Sequence, residues 1–371
     1  MSDIFLSAAM IVRNEENFLA DCLKSLKGVA DEIVVVDTGS TDGTKDIAAG
    51  FGARVFDFPW RDDFSAARNE SVRHCLGKWI LYIDADERLK PVDKEAVIAD
   101  LSRPGFAAFT VNYRPISWFT TFREYRVFRN DPRIRFEGII HETVLPSVMK
   151  VCDDEGLVIG DSIIEVDHVG YDGDLARKHR RNLPLLERHA GDLPENTFLR
   201  YRLGVTRKAL GDTEGAEREW RAAIDTVRRR RDSVSLRDCQ AYYDLIRLLL
   251  EKGEDVSTLL EEAEAFFPDN HLITWTKAMV LMHRGSYEEA AGIFGRLTSL
   301  DPEHIDHVRI SYDKRIFGEF SWEPMGACYF KLGRLAESER CYALALERDP
   351  GNPEYLTKHK FISALLRKAS A

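Results

Sequence analysis

The chain has 371 residues, of which 44% are hydrophobic and 31% charged, as is typical of a soluble globular protein with two or three domains. Its formal net charge of -10 argues against a nucleic-acid-binding protein, because such a surface needs clustered basic residues. The six cysteines form no C-x-x-C pair, which argues against a disulfide framework or a zinc site and favours a reducing, cytoplasmic compartment.

The beginning of the chain alternates between predicted strands and helices. Its first apolar run has no basic leader or cleavage signature, so we interpret it as a strand and not as a signal peptide. No uncharged apolar stretch approaches the ~20 residues that span a bilayer. The predicted elements are strand Leu6–Val12, a helix that begins near Glu15 or Glu16 and stops at Gly28, strand Ile33–Val36, helix Lys45–Ala49 and strand Arg54–Phe58. This order predicts a parallel sheet with helices packed on its faces.

A predicted helix over Ser65–His74 leads into a buried strand that ends in acids. The apolar run Trp79–Ile83 is followed by Asp84, Asp86 and Glu87. A buried strand cannot hold several unpaired carboxylates, so they should emerge at its carboxyl end, where ligands bind in open α/β sheets. Two aspartates separated by one residue can share a hard divalent cation that also contacts the phosphates of a nucleotide. An isolated Asp-x-Asp pair is more often a solvated loop, so the neighbouring motifs decide the interpretation.

Four motifs in this order resemble those of a known family. MIVRNEE, VVVDTGSTDGT, DDFSAARN and ILYIDADE are similar to the nucleotide-sugar domain of family 2 glycosyltransferases. The resemblance implies a GT-A fold, which is an α/β, Rossmann-like domain with a mostly parallel sheet. It also implies that Asp37 contacts the uracil or ribose, that Asp84 lies near the ribose, and that Asp86 holds the metal. The nucleotide-sugar-binding residues implied in this way are Val12, Arg13, Asn14, Glu15, Asp37, Arg68, Asn69, Asp84 and Ala85.

The acids at the strand ends agree with a requirement for a cation. A nucleotide diphosphate is negatively charged, and a pocket lined by Asp37, Asp84 and Asp86 would repel it unless a cation lay between them. We therefore expect Mn²⁺ or Mg²⁺, which would stabilise the departing diphosphate. A late G-x-x-H-E stretch resembles the point where chains of this group return to the metal, so His141 is expected to join Asp84 and Asp86 as a ligand. His168, at another predicted strand end, either closes over the phosphates or has a structural role.

The same stretch supplies candidates for a catalytic base. Alternating apolar residues predict a half-exposed strand over Ile134–Ile140, which ends at His141 and Glu142. An inverting transfer needs a general base to take the proton of the acceptor. Glu142 is the first candidate for this role and Glu124 the second. A retaining mechanism would not need such a base, and the sequence does not distinguish the two outcomes.

The second half of the chain has a degenerate helical repeat. Small and large residues fall on the spacing of tetratricopeptide units that include Gly204, Ala278 and Gly326, with a poorer unit over Tyr242–Phe267. Small residues in such units let paired helices approach each other, and a large ring fills the space between neighbouring units. The predicted domains are a GT-A catalytic domain over residues 1–172, a helical linker over 173–195 and an all-α tetratricopeptide-like repeat domain over 196–371.

The predicted function is that of a cytoplasmic, metal-dependent glycosyltransferase. It would move a sugar from a UDP-sugar to a peptide or protein acceptor, taken as an inverting transfer. The repeats would present a concave surface to a partner or form a homodimer. One alternative acceptor is a polysaccharide or lipid-linked glycan precursor. Another alternative is a non-catalytic nucleotide-binding scaffold, against which the joint presence of Asp37, Asp84 and Asp86 argues.

Overall fold

The chain divides into two compact units, and a computed structural model describes residues 4–115, 119–170, 175–230, 233–305 and 310–369. The first unit comprises Met1–Ser117 and Thr121–Asp192, and the second comprises Trp118–Thr120 and Leu193–Ala371. The predicted domain boundary at residue 172 lies outside the described residues. The predicted linker is for the most part a helix, Leu175–Asp192, which belongs to the first unit.

The first unit is built on a sheet of eight strands within the described ranges. In chain order they are β1 (Leu6–Val12), β2 (Glu32–Asp37), β3 (Arg54–Asp57), β4 (Trp79–Tyr82), β5 (Glu87–Leu89), β6 (Phe106–Pro115), β7 (Phe122–Arg129) and β8 (Val158–His168). Their order across the sheet is β3-β2-β1-β4-β7-β6-β8-β5. The pairs among β1 to β4 are parallel as predicted, whereas β7 runs antiparallel to both β4 and β6, so the complete sheet is mixed.

Alternating side chains of the central strands supply a core on each face of this sheet. The helices of this unit are α1 (Leu19–Leu26), α2 (Thr44–Gly50), α3 (Phe64–Arg73), α4 (Lys94–Leu101), α5 (Leu145–Glu155) and α6 (Leu175–Asp192). Helix α1 packs in the cluster that contains Met10 and Leu81, and α5 packs in the cluster that contains Ala9 and Ile80. Because neighbouring residues of a strand point to opposite faces, β1 and β4 contribute to both clusters.

The predicted strand Ile134–Ile140 is wrong. This segment has an irregular backbone with a bend over residues 138–140, and its only strand-like contact in the described chain is an isolated bridge from Glu137 to Thr143. Gly138 has a φ of 96°, and a β-carbon there would lie 2.7 Å from the ring of His189. The alternating apolar residues are buried without strand pairing because Ile134 and Phe136 pack into the cluster under the sheet. The alternation of apolar residues therefore predicted their burial correctly and the backbone conformation incorrectly.

The second unit consists of helices that pair in chain order. They are α7 (Thr197–Ala209), α8 (Thr213–Arg229), α9 (Cys239–Glu251), α10 (Ser257–Phe266), α11 (His271–His283), α12 (Tyr287–Thr298), α13 (Glu319–Lys331), α14 (Leu335–Arg348) and α15 (Pro353–Ala369). The predicted units correspond to the pairs α7 with α8, α11 with α12, and α13 with α14. The poorer unit corresponds to α9 with α10, whose second helix has 10 residues against 17 in α8.

The small residue of the first pair leaves room for a large ring. A β-carbon at Gly204 would lie 2.6 Å from Cδ1 of Trp220, whose ring is buried and donates a hydrogen bond to the Tyr201 carbonyl. Gly204→Ala should therefore lower the free energy of unfolding by about 1–3 kcal/mol in urea denaturation, as overpacked cores do. Gly292→Ala is the matched control, because a β-carbon at this helical glycine meets nothing closer than 3.9 Å. Equal stability of Gly204→Ala and the parent would contradict this packing.

Candidate active site

The carboxyl ends of three parallel strands meet at one edge of the sheet. Val12 at the end of β1 lies opposite Asp37 at the end of β2. Strand β4 pairs with the other side of β1 and is followed by Ile83 and Asp84. The segments that follow β1, β2 and β4 carry most of the predicted site residues. The fold therefore brings together the motifs that the sequence analysis identified.

Asp37 has one satisfied and one unsatisfied carboxylate oxygen. Its Oδ1 accepts hydrogen bonds from the backbone N–H groups of Gly39 and Ser40, at 3.0 and 2.9 Å. Its Oδ2 is buried and has no hydrogen-bond partner among the described residues. A buried acceptor without a donor costs about 1–3 kcal/mol. The geometry therefore favours a ligand with an N–H or O–H group at this position.

The segment after β1 is fixed by its contacts with the segment after β2. The Val12 carbonyl accepts hydrogen bonds from both the N–H and the hydroxyl of Thr38. Asn14 has a φ of 57°, and its Oδ1 accepts the backbone N–H of Thr41 at 2.8 Å. Arg13, between these anchored residues, has an exposed side chain. Val12 and Asn14 therefore shape this edge of the sheet, and Arg13 presents a cation to solvent beside it.

Glu15 lies where three other acids repel its charged form. Burial raises the pKa of Glu15 to about 7, with further contributions from Asp86, Asp84 and Asp42, while Arg181 of α6 opposes the shift. Burial is the largest cause of this shift, and the contributions of the three acids show that negative charge is concentrated at this edge. A cation at the strand ends would offset that charge.

The raised pKa of Glu15 makes the stability of this unit dependent on pH. Without divalent cations, Glu15→Gln should be more stable than the parent at pH 8 by about 1–2 kcal/mol, after allowance for partial exposure, and nearly equal to it at pH 5. The sign follows because the folded state holds this proton up to about pH 7, whereas the unfolded chain releases it near 4.5, so the parent loses stability as the pH rises from about 4.5 to about 7. Urea denaturation at both pH values measures the difference. The exposed Glu95→Gln should show no such change between the two pH values, and equal behaviour of the two variants would contradict the assignment.

Asp84 is neutralised by arginines. Its Oδ1 lies 2.9 Å from Nη2 of Arg68, and its Oδ2 lies 3.8 Å from Nη1 of Arg126. Burial alone would raise the pKa of Asp84, but the guanidinium groups of Arg68 and Arg126 lower it below the ordinary value. The carboxylate is therefore ionised and already paired. This pairing does not fit the prediction that Asp84 is a metal ligand.

The two predicted bases occupy different environments. Oε1 of Glu142 accepts a hydrogen bond from Nε of Arg68 at 2.6 Å, and both side chains are 10% exposed. A base must be open to the acceptor, so this buried ion pair argues against Glu142 as the base. Glu124 is half-buried on β7, and its carboxylate makes no hydrogen bond or ion pair with the described residues.

Asp86 meets a histidine other than the predicted one. Its Oδ2 lies 3.2 Å from Nε2 of His168, and the two side chains are 31% and 34% exposed. Strand β5 aligns them, because Glu87 pairs with His168 and the Asp86 carbonyl accepts the backbone N–H of Val169 at 3.0 Å. Burial lowers the pKa of His168, but the hydrogen bond and the charge of Asp86 raise it by more. The net pKa of His168 is therefore above its ordinary value. A carboxylate and an imidazole are thus adjacent at the edge of the site.

The predicted metal set of Asp84, Asp86 and His141 is not assembled. Within the described ranges, no group of three histidine, cysteine, aspartate or glutamate residues is arranged to hold a metal ion. His141 has a φ of 53° in the turn beside Glu142, whose carboxylate is directed to Arg68. The histidine that reaches Asp86 comes instead from the end of β8. The sequence predicted either of two roles for His168, which were closing over the phosphates and a structural contact.

Asn69 and Ala85 have structural positions. Asn69 donates from Nδ2 to the Phe136 carbonyl at 2.9 Å and accepts the Phe136 N–H on Oδ1 at 2.8 Å. Both the nitrogen and the oxygen of the Asn69 amide are therefore engaged with the backbone of one residue, Phe136. Ala85 is buried, and its carbonyl accepts a hydrogen bond from Nη1 of Arg88 at 2.7 Å. These contacts fix helix α3 and the turn after β4.

Two family models match parts of the chain. The model of the family described as Glycosyl transferase family 2 matches residues 7–155, and that of the tetratricopeptide repeat matches residues 322–352. A TPR repeat-containing protein of Synechococcus elongatus is 36% identical over 220 residues, which are 57% of this chain and 55% of that protein. The SPbeta prophage-derived glycosyltransferase SunS of Bacillus subtilis is 27% identical over 295 residues, 75% of this chain and 67% of SunS. The chain thus spans about half the length of the first of these relatives.

Several solved structures resemble part of the chain. Among them is glucosyl-3-phosphoglycerate synthase from Mycobacterium tuberculosis in complex with Mn²⁺ and UDP-glucose. The alignment has 19% identity and a TM-score of 0.37, and it covers 50% of this chain and 79% of that one. In the part of the chain that is described, no helix is long and apolar enough to cross a membrane.

Proposed function

We propose that this chain, which carries a family 2 glycosyltransferase domain followed by a tetratricopeptide repeat, transfers a sugar from a UDP-sugar to a peptide or protein. The observation that carries this proposal is the buried Oδ2 of Asp37, which lacks a hydrogen-bond donor at the edge where three strand ends meet. The uracil N–H or a ribose hydroxyl of the donor would supply the missing hydrogen. Arg13, exposed beside this position, would add a favourable charge for the diphosphate.

A divalent cation fits the residues at the neighbouring strand end. Asp86 and His168 offer a carboxylate and an imidazole 3.2 Å apart, both accessible to solvent, and this donor chemistry suits Mn²⁺ and, less closely, Mg²⁺. Asp84 and His141 are left out of this set for the structural reasons given above. The bound cation would supply positive charge to the departing diphosphate. It would also relieve the repulsion that raises the pKa of Glu15.

The groups of this chain would then complete an inverting displacement. The bond from the sugar carbon to the diphosphate oxygen breaks, and the bond from that carbon to the acceptor forms on the opposite face. Glu124 is our candidate for the base that takes the acceptor's proton, because its half-buried carboxylate has no competing partner among the described side chains. Arg68 and Arg126 lower the pKa of Asp84 and so favour its ionised form beside the reacting groups.

The acceptor assignment depends on the second unit. Arrays of paired helices present an extended surface that suits a peptide or a folded protein. The repeats here have the small-to-large packing that such an array requires, as Gly204 and Trp220 show. A peptide or protein acceptor is therefore favoured over a polysaccharide or lipid-linked glycan precursor. The cytoplasmic location remains the proposal drawn from the six cysteines, all of which are buried and free.

Donor hydrolysis tests the proposed activity. Slow release of UDP should be screened with UDP-glucose, UDP-N-acetylglucosamine, UDP-galactose and GDP-mannose, each in Mn²⁺ and in EDTA. We expect release from at least one UDP-sugar in Mn²⁺ and none in EDTA. Glu124→Gln should slow transfer to the acceptor while Mn²⁺ and UDP still stabilise the protein against heat. A protein that neither hydrolyses nor is stabilised by any of these donors would be a scaffold, and the proposal would fail.

A further inference from the structure

We propose that Glu87 and Arg126 form a buried positioning pair that directs the Asp86 carboxylate toward His168. This inference rests on the proposed function, because the pair Asp86 and His168 is the proposed cation site. Glu87 is the third acid of the run after β4, and the proposed reaction gives it no role. Its side chain is 1% exposed, so it does not reach a ligand directly.

The Glu87 side chain closes the turn that contains Asp86. Its Oε2 accepts the backbone N–H of Asp84 at 2.9 Å, while its own N–H donates to the Asp84 carbonyl at 3.0 Å. The turn from Asp84 to Glu87 is therefore held from both ends. The other oxygen, Oε1, accepts the hydroxyl of Tyr113 at 2.9 Å and Nη2 of Arg126 at 2.7 Å. Three donors thus hold one buried carboxylate in a single orientation.

Arg126 reaches Glu87 because the β6–β7 ladder is irregular. The register passes from Phe109 opposite Val127 to Thr110 opposite Tyr125, so Arg126 is the extra residue of β7. Such an irregularity redirects a side chain and is common beside active sites. The guanidinium carbon lies 4.4 Å from the ring centroid of Tyr82 and 5.0 Å from that of Tyr113. Two rings and one carboxylate therefore define the position of this buried cation.

Glu87 contacts the segments that carry both proposed cation ligands, Asp86 and His168. Through its backbone, Glu87 pairs with His168 in the β5–β8 ladder. Through its side chain, it fixes the Asp84 end of the turn. Asp86 lies between these two fixed points, and its carbonyl is held by Val169. These contacts fix the backbone of Asp86 at the place where its carboxylate lies 3.2 Å from Nε2 of His168.

Titration with Mn²⁺ in the presence of UDP distinguishes positioning from simple stabilisation. Glu87→Gln keeps the shape of the side chain but removes the charge that Arg126 requires. We expect it to weaken Mn²⁺ binding, measured by isothermal titration calorimetry well below the melting temperature, by roughly 10- to 100-fold, as is usual for residues that orient metal ligands. Tyr113→Phe removes one hydroxyl from Glu87 and should give a smaller loss in the same direction.

Glu32→Gln is the matched control. Glu32 is 8% exposed in the same sheet and accepts hydrogen bonds from Ser7 and Leu76, but it lies at the amino end of β2, away from the site. It should lower the melting temperature and leave Mn²⁺ affinity unchanged. A purely structural Glu87 would behave in the same way.

The outcomes separate the inference from the function on which it rests. Mn²⁺ affinity equal to that of the parent in folded Glu87→Gln would overturn the inference alone. If Glu87→Gln does not fold, unchanged affinity in Tyr113→Phe has the same meaning. A parent protein that binds no Mn²⁺ in the presence of UDP would overturn the proposed cation site and this inference together.

Discussion

Asp86→Ala is expected to abolish the stabilisation that Mn²⁺ and a UDP-sugar together give the protein. Asp86 supplies the accessible carboxylate beside His168, and alanine leaves a single imidazole at the proposed cation site. A bound cation contributes several kcal/mol to a developing negative charge, so UDP release should fall by roughly 100-fold or more. Thermal unfolding with and without Mn²⁺, together with UDP release, measures both effects.

The control for this variant is an exposed acid of the same unit. Asp153→Ala on α5 removes the same side chain from a solvent-exposed position. It should respond to Mn²⁺ and the donor as the parent does. If Asp86→Ala were stabilised as much as the parent, Asp86 would not hold the cation, and the proposed metal site would be abandoned.

Arg68→Met should be the most destabilising single substitution at the site. Arg68 is the buried cation between Asp84 and Glu142, so its removal leaves two largely buried carboxylates without that partner. Breaking a buried pair in this way costs about 3–5 kcal/mol. Urea denaturation at pH 7 should show this loss. It should shrink as the pH falls through the folded pKa of Asp84, which is below the ordinary value, because protonation removes the unpaired charge.

The same helix contains the control for Arg68. Arg73 lies near the end of α3, is 65% exposed and pairs with Glu70 on the surface. Arg73→Met should change the free energy of unfolding by about 1 kcal/mol or less, as expected for an exposed ion pair. Losses of similar size in the two variants would mean that Arg68 is not a buried counter-ion.

The sequence allowed much of the first unit to be predicted because its signals are local. Apolar runs that end in polar residues located β1, β2 and β4, and parallel pairing requires the ends of such strands to meet at one edge. The convergence of Asp37, Asp84 and Asp86 followed from that rule. The small and large residues of the repeats, such as Gly204 and Trp220, also act over short distances along the chain.

The predictions that failed depend on contacts between distant parts of the chain. His168 reaches Asp86 through the register of β5 with β8, which no local pattern reveals. The burial of Glu142 depends on Arg68, 74 residues earlier. The position of Arg126 depends on an irregularity in one ladder.

Strands β4 and β5 are neighbours along the chain but lie far apart in the order of the sheet. Only residues 83–86 separate these strands in the chain, yet they occupy the fourth and the last places in the sheet order. The five steps from Tyr82 to Glu87 span at most about 18 Å when fully extended, and the hydrogen bond from the Glu87 N–H to the Asp84 carbonyl makes the actual span shorter. Four strand spacings in a flat sheet cover about 19 Å, so the sheet must curl until β5 lies close to the end of β4. The acidic turn from Asp84 to Glu87 joins the two strands that this curl brings together. Lengthening the turn by even one or two residues should let β5 move away from β4 and separate the Asp86 carboxylate from the His168 imidazole.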